Sequence, residues 1–335
     1  MWDRRIYRTT DFGLEDGETF EPPDASDPED VDETLPHIMT VLGPVVPEQL
    51  GICLPHEHIL SDPAAGTGVG QGYRLDRIDL ACEELGTFFS VGGRSIVDAS
   101  TIDYGRDLAG LRAIAQQVPV HIVAVTGRNK HLHASRMGNP LDQAAIEQEL
   151  HTDIDAAIKP GMISFGTSLD EITDVERTAA RACSSVAART GYPVTTHLEA
   201  GTMAHEQLDL VEAAGLDPAR VILGHLDRKL DFDFLKGVAN RGASISFDQV
   251  GKVRYGADAG RAEMLVRLAD AGFENQLLIS QDLDQTSDFL AHGGFPGWIH
   301  LLERFTLDLM QAGATAHLVR KLLIDNPAGA LSIRP

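Results

Sequence analysis

Cysteine is scarce: Cys53, Cys82 and Cys183 are the only three in 335 residues, and no two stand in a C-x-x-C spacing. That argues against a disulfide framework and suits a reducing cytoplasm. Long apolar runs are also missing, since no stretch approaches the roughly 18 consecutive apolar residues of a membrane span. The N-terminus is acidic and polar where a signal peptide would be basic and then apolar. Basic residues are few, 28 against 50 acids, and the net charge of −22 repels a phosphate backbone or an anionic bilayer over most of the surface. The expectation is a soluble cytoplasmic protein with neither nucleic acid nor membrane as partner.

What is present is a hydrophobic fraction of 43%, enough for a real core. The charge is uneven, because residues 1–36 carry twelve acids against Arg4, Arg5 and Arg8, together with Pro22, Pro23, Pro28 and Pro36. Such a segment buries little apolar surface and reads as an extended acidic arm. From Ile38 the pattern becomes IMTVLG and, after a turn, ICLPHEHIL, the signature of a small hairpin leading into a first core strand.

Beyond it, short apolar runs alternate with longer helical patterns. ICLPHEHI, RSIVDAS, VHIVAVTG, MISFGT, PVTTHL, VILGHL, ASISFD and LLISQD read as eight strands, separated by amphipathic stretches that several glycines close. Eight βα units across residues 37–335 predict one α/β domain, a (β/α)8 barrel. A doubly wound open sheet is the runner-up, weakened because no G-x-G-x-x-G follows the first strand.

In such a barrel the strand C-termini share one mouth, so polar residues there are site candidates. His56 and His58, at i and i+2, face the same side of a strand. His197 ends PVTTHL, His225 ends VILGHL and Asp282 ends LLISQD, at spacings of whole βα steps that place the groups on strands one, five, six and eight. Imidazoles with one carboxylate suit Zn2+, or Mn2+, Fe2+ or Co2+, better than Ca2+ or Mg2+. The competing reading of any one of them is a polar strand end satisfied by backbone.

The strand LPHEHI, then IVDASTIDYGRD, PVTTHLEAG, VILGHLD, LISQD and the closing LLIDNPAGAL resemble the phosphotriesterase family of the amidohydrolase superfamily, from about Met39 to the C-terminus. The resemblance implies a TIM barrel with two metal ions at its mouth that hydrolyses lactones, phosphotriesters or related esters. It implies that His56, His58 and Asp282 bind a buried ion while His197 and His225 bind a more exposed one. The family's strand-four bridge, a carboxylated Lys or a Glu, is replaced here by Ser164, whose hydroxyl is too short and too weakly acidic to span two ions. Lys130, in VTGRNKHLH after strand three, is the candidate replacement as a carbamate, and a solvated loop lysine is its alternative.

FDQVGKVRY after strand seven gathers Lys252, Arg254 and Tyr255 at the same mouth, either as an anion clamp or as a charged loop paired with Asp258 or Glu263. With HLDR, which includes Arg228, and HGGFPG, this pattern is similar to the branch that hydrolyses phosphorylated sugar lactones. The reaction so implied is attack on a lactone carbonyl by a hydroxide between the ions, with Asp282 handling the proton. No G-x-S-x-G elbow offers a serine nucleophile. Competing functions are a phosphotriesterase, a mononuclear deaminase or deacetylase, and a non-catalytic binding member. The expected partner is a small anionic substrate, and the hairpin with the Trp298 region is read as a candidate apolar surface for a homodimer.

Overall fold

The computed structural model describes residues 31–63, 70–134 and 142–335. The expected arm, 1–36, lies outside these except for 31–36, where Glu33 pairs with Lys159. Eight parallel strands follow: β1 (Cys53–Glu57), β2 (Ser95–Asp98), β3 (His121–Gly127), β4 (Met162–Thr167), β5 (Val194–Leu198), β6 (Val221–Leu223), β7 (Ser244–Phe247) and β8 (Leu277–Ile279). They neighbour one another in chain order, as a right-handed βα repeat dictates. The barrel is a TIM barrel whose helices lie between the strands, among them α1 (Ile78–Ser90), α2 (Leu108–Ala115), α3 (Gln143–Ile154), α4 (Asp174–Thr190), α5 (Ala204–Ala213), α6 (Phe232–Ala239), α7 (Asp258–Leu268) and α8 (Thr306–Gln311).

Local chemistry explains the helix ends. At α4, Thr173 Oγ1 accepts from the Glu176 N–H while the Glu176 carboxylate accepts from the Thr173 N–H, and Gly191 at φ +72 closes the helix. The closing LLIDNPAGAL is also helical: Pro327 lies in Asn326–Leu331, which directly follows a π-helical turn, Lys321–Asp325, the kind of irregularity at which a helical run departs from regular α geometry. Asn326 Nδ2 donates to the Glu274 and Leu277 carbonyls and so fastens this last helix to the start of β8.

The floor of the barrel is apolar. Cys53, Val97, Val123, Val125, Met162, Ile222 and Leu278 form one cluster with Ile38, Val45 and Leu50. The hairpin, Ile38–Thr40 paired antiparallel with Gly43–Val45, plugs this end, and the Val41 N–H donates to the Ile122 carbonyl on β3. Ile38 and Met39 in the plug are buried by their own chain, and Trp298 is 1% exposed. An indole that a barrel of this size can enclose loses more by facing water than by packing inward. Cys53, Cys82 and Cys183 are all free thiols. Among the described residues no helix is long and apolar enough to cross a membrane.

One interface differs from the rest. Ladders join each consecutive pair from β1 to β8, but β8 and β1 share none. Pro55 lies inside β1 without an N–H to give, and the β1–β2 register shifts between Leu54 and Glu57. Side chains stitch this seam instead.

Candidate metal centre

At the mouth, His56 near the end of β1 and His58 just past it present their rings to one centre, as the i, i+2 spacing predicts. Asp282 and His225 lie just past β8 and β6 with left-handed backbones, φ +49 and +58, which turn their side chains inward. His56 Nε2 and His58 Nε2 stand 3.6 and 3.4 Å from Asp282 Oδ1. Two ligands on one tetrahedral zinc lie roughly 3.3 Å apart, so this spacing fits a shared divalent ion. The three residues, all buried, form a group able to hold a metal.

Opposite them, His197 Nδ1 and His225 Nε2 point at each other, 2.9 Å apart. Asp248 explains the orientation, because its Oδ1 accepts from both the N–H and the Nδ1 of His225, each at 2.8 Å. Its Oδ2 lies 3.6 Å from His56 Nδ1, so one buried carboxylate stands behind an imidazole of each half. On His58 the corresponding partner is neutral, Ser100 Oγ at 2.8 Å from Nδ1. Both arrangements leave Nε2 turned to the centre, the usual way a protein aims a histidine ligand.

The charges follow. Burial lowers His56 to about 4, against the pull of Asp248 and Asp282. Burial, helped by His225, lowers His197 to about 3. Both are neutral imidazoles, the form a metal needs. Burial also disfavours charge on His225, but Asp248 and then Asp282 outweigh it and raise the group to about 9. Burial pushes the Asp282 carboxyl up, yet the Lys252 ammonium and then His225 and His58 hold it well below the ordinary range.

Of the cations expected at the mouth, Lys252 is 3% exposed, and its Nζ donates to Asp282 Oδ2 at 2.8 Å and to Asp284 Oδ1 at 3.1 Å. Arg254 faces Asp284 and Asp288 at 3.6 and 3.8 Å, so these acids, rather than Asp258 or Glu263, are its neighbours. Arg228 stacks on the Tyr255 ring, its Cζ 3.6 Å from the centroid, with Arg254 against the same ring at 4.8 Å. Ser164 lines the cavity from β4.

Lys130 also lines it and pairs with Glu199, whose other neighbour is His197 Nε2 at 3.2 Å. The His197 hydrogen bond and the Lys130 ammonium hold Glu199 low despite partial burial. The Lys130 segment is tied down on both sides: the Asn129 N–H donates to Asp103, and the His131 N–H to Glu176. Gly166 allows this segment to lie on β4, since a Cβ there would come within 2.9 Å of the Lys130 nitrogen.

The four imidazoles, Asp282, Lys130 and Lys252 line one cavity of about 370 Å³, small-molecule size. Asp248, Gln249, Glu199 and Asp284 were missed from sequence. Asp248 ends ASISFD and Glu199 follows His197, so the strand-end position that singled out the histidines was available for both.

A sequence profile of the phosphotriesterase family matches residues 36–331. The phosphotriesterase homology protein of Escherichia coli is 32% identical over 285 residues, covering 83% of this chain and 97% of that one. A solved phosphotriesterase homology protein from the same organism, complexed with phosphate in its active site, superposes with a TM-score of 0.81 at 30% identity, covering 84% of this chain and 99% of that one. A lactonase from Listeria monocytogenes superposes with a TM-score of 0.83 at 28% identity over 89% and 100%. N-acetyltaurine hydrolase of Tetraodon nigroviridis is 27% identical over 343 residues, 89% of this chain and 98% of that one.

Proposed function

Because the chain belongs to the phosphotriesterase family of hydrolases, we propose that it uses two divalent ions, zinc by ligand chemistry, to open a small lactone carrying a phosphate. The observation that carries this reading is the pair of facing ligand sets, His56, His58 and Asp282 against His197 and His225, in one cavity with Arg228 at its rim. Bound there, divalent ions supply an acidified water and a polarised carbonyl.

The protein's own groups do the rest. Water adds to the lactone carbonyl carbon and the ring C–O bond breaks. Asp282 takes the proton and returns it to the leaving alkoxide, held in place through Oδ2 by Lys252 Nζ and by Gln249 Nε2 at 2.8 Å. Lys252 keeps Asp282 ionised and favours quick release of that proton. Arg228, stacked on Tyr255 with no acid contact among the described residues, meets the phosphate, while Arg254 closes the other side of Tyr255.

Lys130, if carboxylated on its amine, would be the residue to hold both ions in place of Ser164, whose side chain is too short. Support comes from its position in the same cavity as the four imidazoles. As an ammonium it attracts Glu199, and as a carbamate it would repel it, so bridging requires that pair to part.

A panel tests the whole reading with zinc-loaded protein: phosphorylated and neutral sugar lactones, an organophosphate triester and N-acetyltaurine. Fastest turnover is expected on a phosphorylated lactone. Turnover of the triester alone would replace the lactonase assignment. The amide is a distinct arm because N-acetyltaurine hydrolase is among the relatives, and its anionic sulfonate offers Arg228 the same chemistry. No turnover on any arm would leave a binding protein.

A further inference from the structure

The seam between β8 and β1 carries more than barrel closure. Glu57, the last residue of β1, stands between His56 and His58 and points away from them, so its side chain leaves the mouth and enters the seam. Its buried carboxylate meets four donors. Oε1 accepts from the Gln281 N–H and from Ser280 Oγ, both at 2.6 Å; Oε2 accepts from the Leu283 N–H at 2.9 Å and from Trp298 Nε1 at 3.0 Å. Gln281 and Leu283 flank Asp282, the residue held at φ +49.

A non-glycine residue in that region is strained and persists only where its surroundings over-determine it. One carboxylate gripping the amides on either side is such a surrounding. The Asp282 N–H donates to the His56 carbonyl at 3.1 Å, and the His56 N–H to Ser280 Oγ at 3.1 Å, which sets the height of β1 against β8. We infer that Glu57 is a positioning residue: by clamping the amides at 281 and 283 it holds Asp282 Oδ1 opposite His56 and His58, and so builds the ligand set that no strand ladder aligns. Its part in metal binding rests on the reading that these three residues hold an ion; the clamp itself does not.

Glu57→Gln keeps the size but turns an amide N–H2 toward two of the four donors. In full-length protein titrated with Zn2+ alone against a chromophoric chelator, one of two binding classes should weaken roughly 10- to 100-fold, the range seen when a partner behind a ligand is lost. The other class should stay as in the unmodified chain. Two unchanged classes, or two equally weakened ones, would overturn the inference, the second outcome marking general loosening.

Hydrogen exchange on the unmodified, chelator-treated chain covers the case in which Glu57→Gln does not fold. The Gln281 and Leu283 amides should exchange as slowly as ladder amides of β7 and β8, and exchange at loop rates would remove the clamp. If the unmodified chain binds no Zn2+, the metal reading fails while the exchange result still decides the clamp.

Discussion

The two halves of the centre are built differently. His56, His58 and Asp282 are buried, and buried contacts aim them: Ser100 behind His58, Asp248 behind His56, Lys252 on the Asp282 carboxylate and Glu57 on the amides around it. The half formed by His197 and His225 is aimed by charged side chains, Asp248, Glu199 and Lys130. The side chains of His197, Lys130 and Glu199 are 23%, 20% and 30% exposed. A ligand set fixed by buried contacts has little freedom to lose on binding an ion. Partners that are partly exposed, as Lys130 and Glu199 are, can rearrange, which suits the proposed bridging role of Lys130.

The largest effect should come from the half both readings depend on. Asp282→Asn should lower turnover by roughly 10²- to 10⁴-fold, the range of a lost acid–base group, and chelation should abolish activity that Zn2+ restores. Turnover by chelated protein would break the comparison at its root. Lys130→Ala tests the other half: one of two ions and the activity should be lost together, measured by metal content and rate. Unchanged content and rate would return Lys130 to the role of a structural partner of Glu199.

Asp248 and Ser100 contrast a charged with a neutral partner behind a ligand histidine. Asp248→Asn should weaken Zn2+ binding roughly 10- to 100-fold. Ser100→Ala, removing one neutral hydrogen bond, should cost only about 0.5–1.5 kcal/mol. Equal effects would mean that a charged partner behind the imidazole matters no more than a neutral one.

At the rim, Arg228→Ala should raise KM for a phosphorylated lactone by the equivalent of about 1.5–3 kcal/mol and leave neutral lactones unchanged. Lys252→Ala should instead slow both, because it leaves Asp282 as a buried carboxylate without its counter-ion. A KM effect of Lys252→Ala confined to phosphorylated substrates would restore Lys252 to the anion clamp.

The strands and the five principal ligand candidates were legible because a buried parallel strand is a short apolar run, and its polar end stands out against it. The i, i+2 pairing of His56 and His58 survives folding unchanged, since strand alternation is local. Lys252 shows where that legibility stops. As a cation near a mouth it reads as an anion site, but its ammonium is spent on Asp282 and Asp284, about thirty residues away. Trp298 likewise reads as an exposed aromatic until its indole is found donating to Glu57, 241 positions earlier.

The sequence by itself therefore determined the βα repeat, the closing number of strands and that His56, His58, His197, His225 and Asp282 reach the mouth, because strand and helix periodicities act over a few residues. Only the tertiary structure decided which carboxylate stands behind each imidazole, which cations are already neutralised, and how β8 meets β1 without a ladder. Those outcomes depend on contacts between chain-distant groups, where a displacement of an ångström separates a hydrogen bond from none.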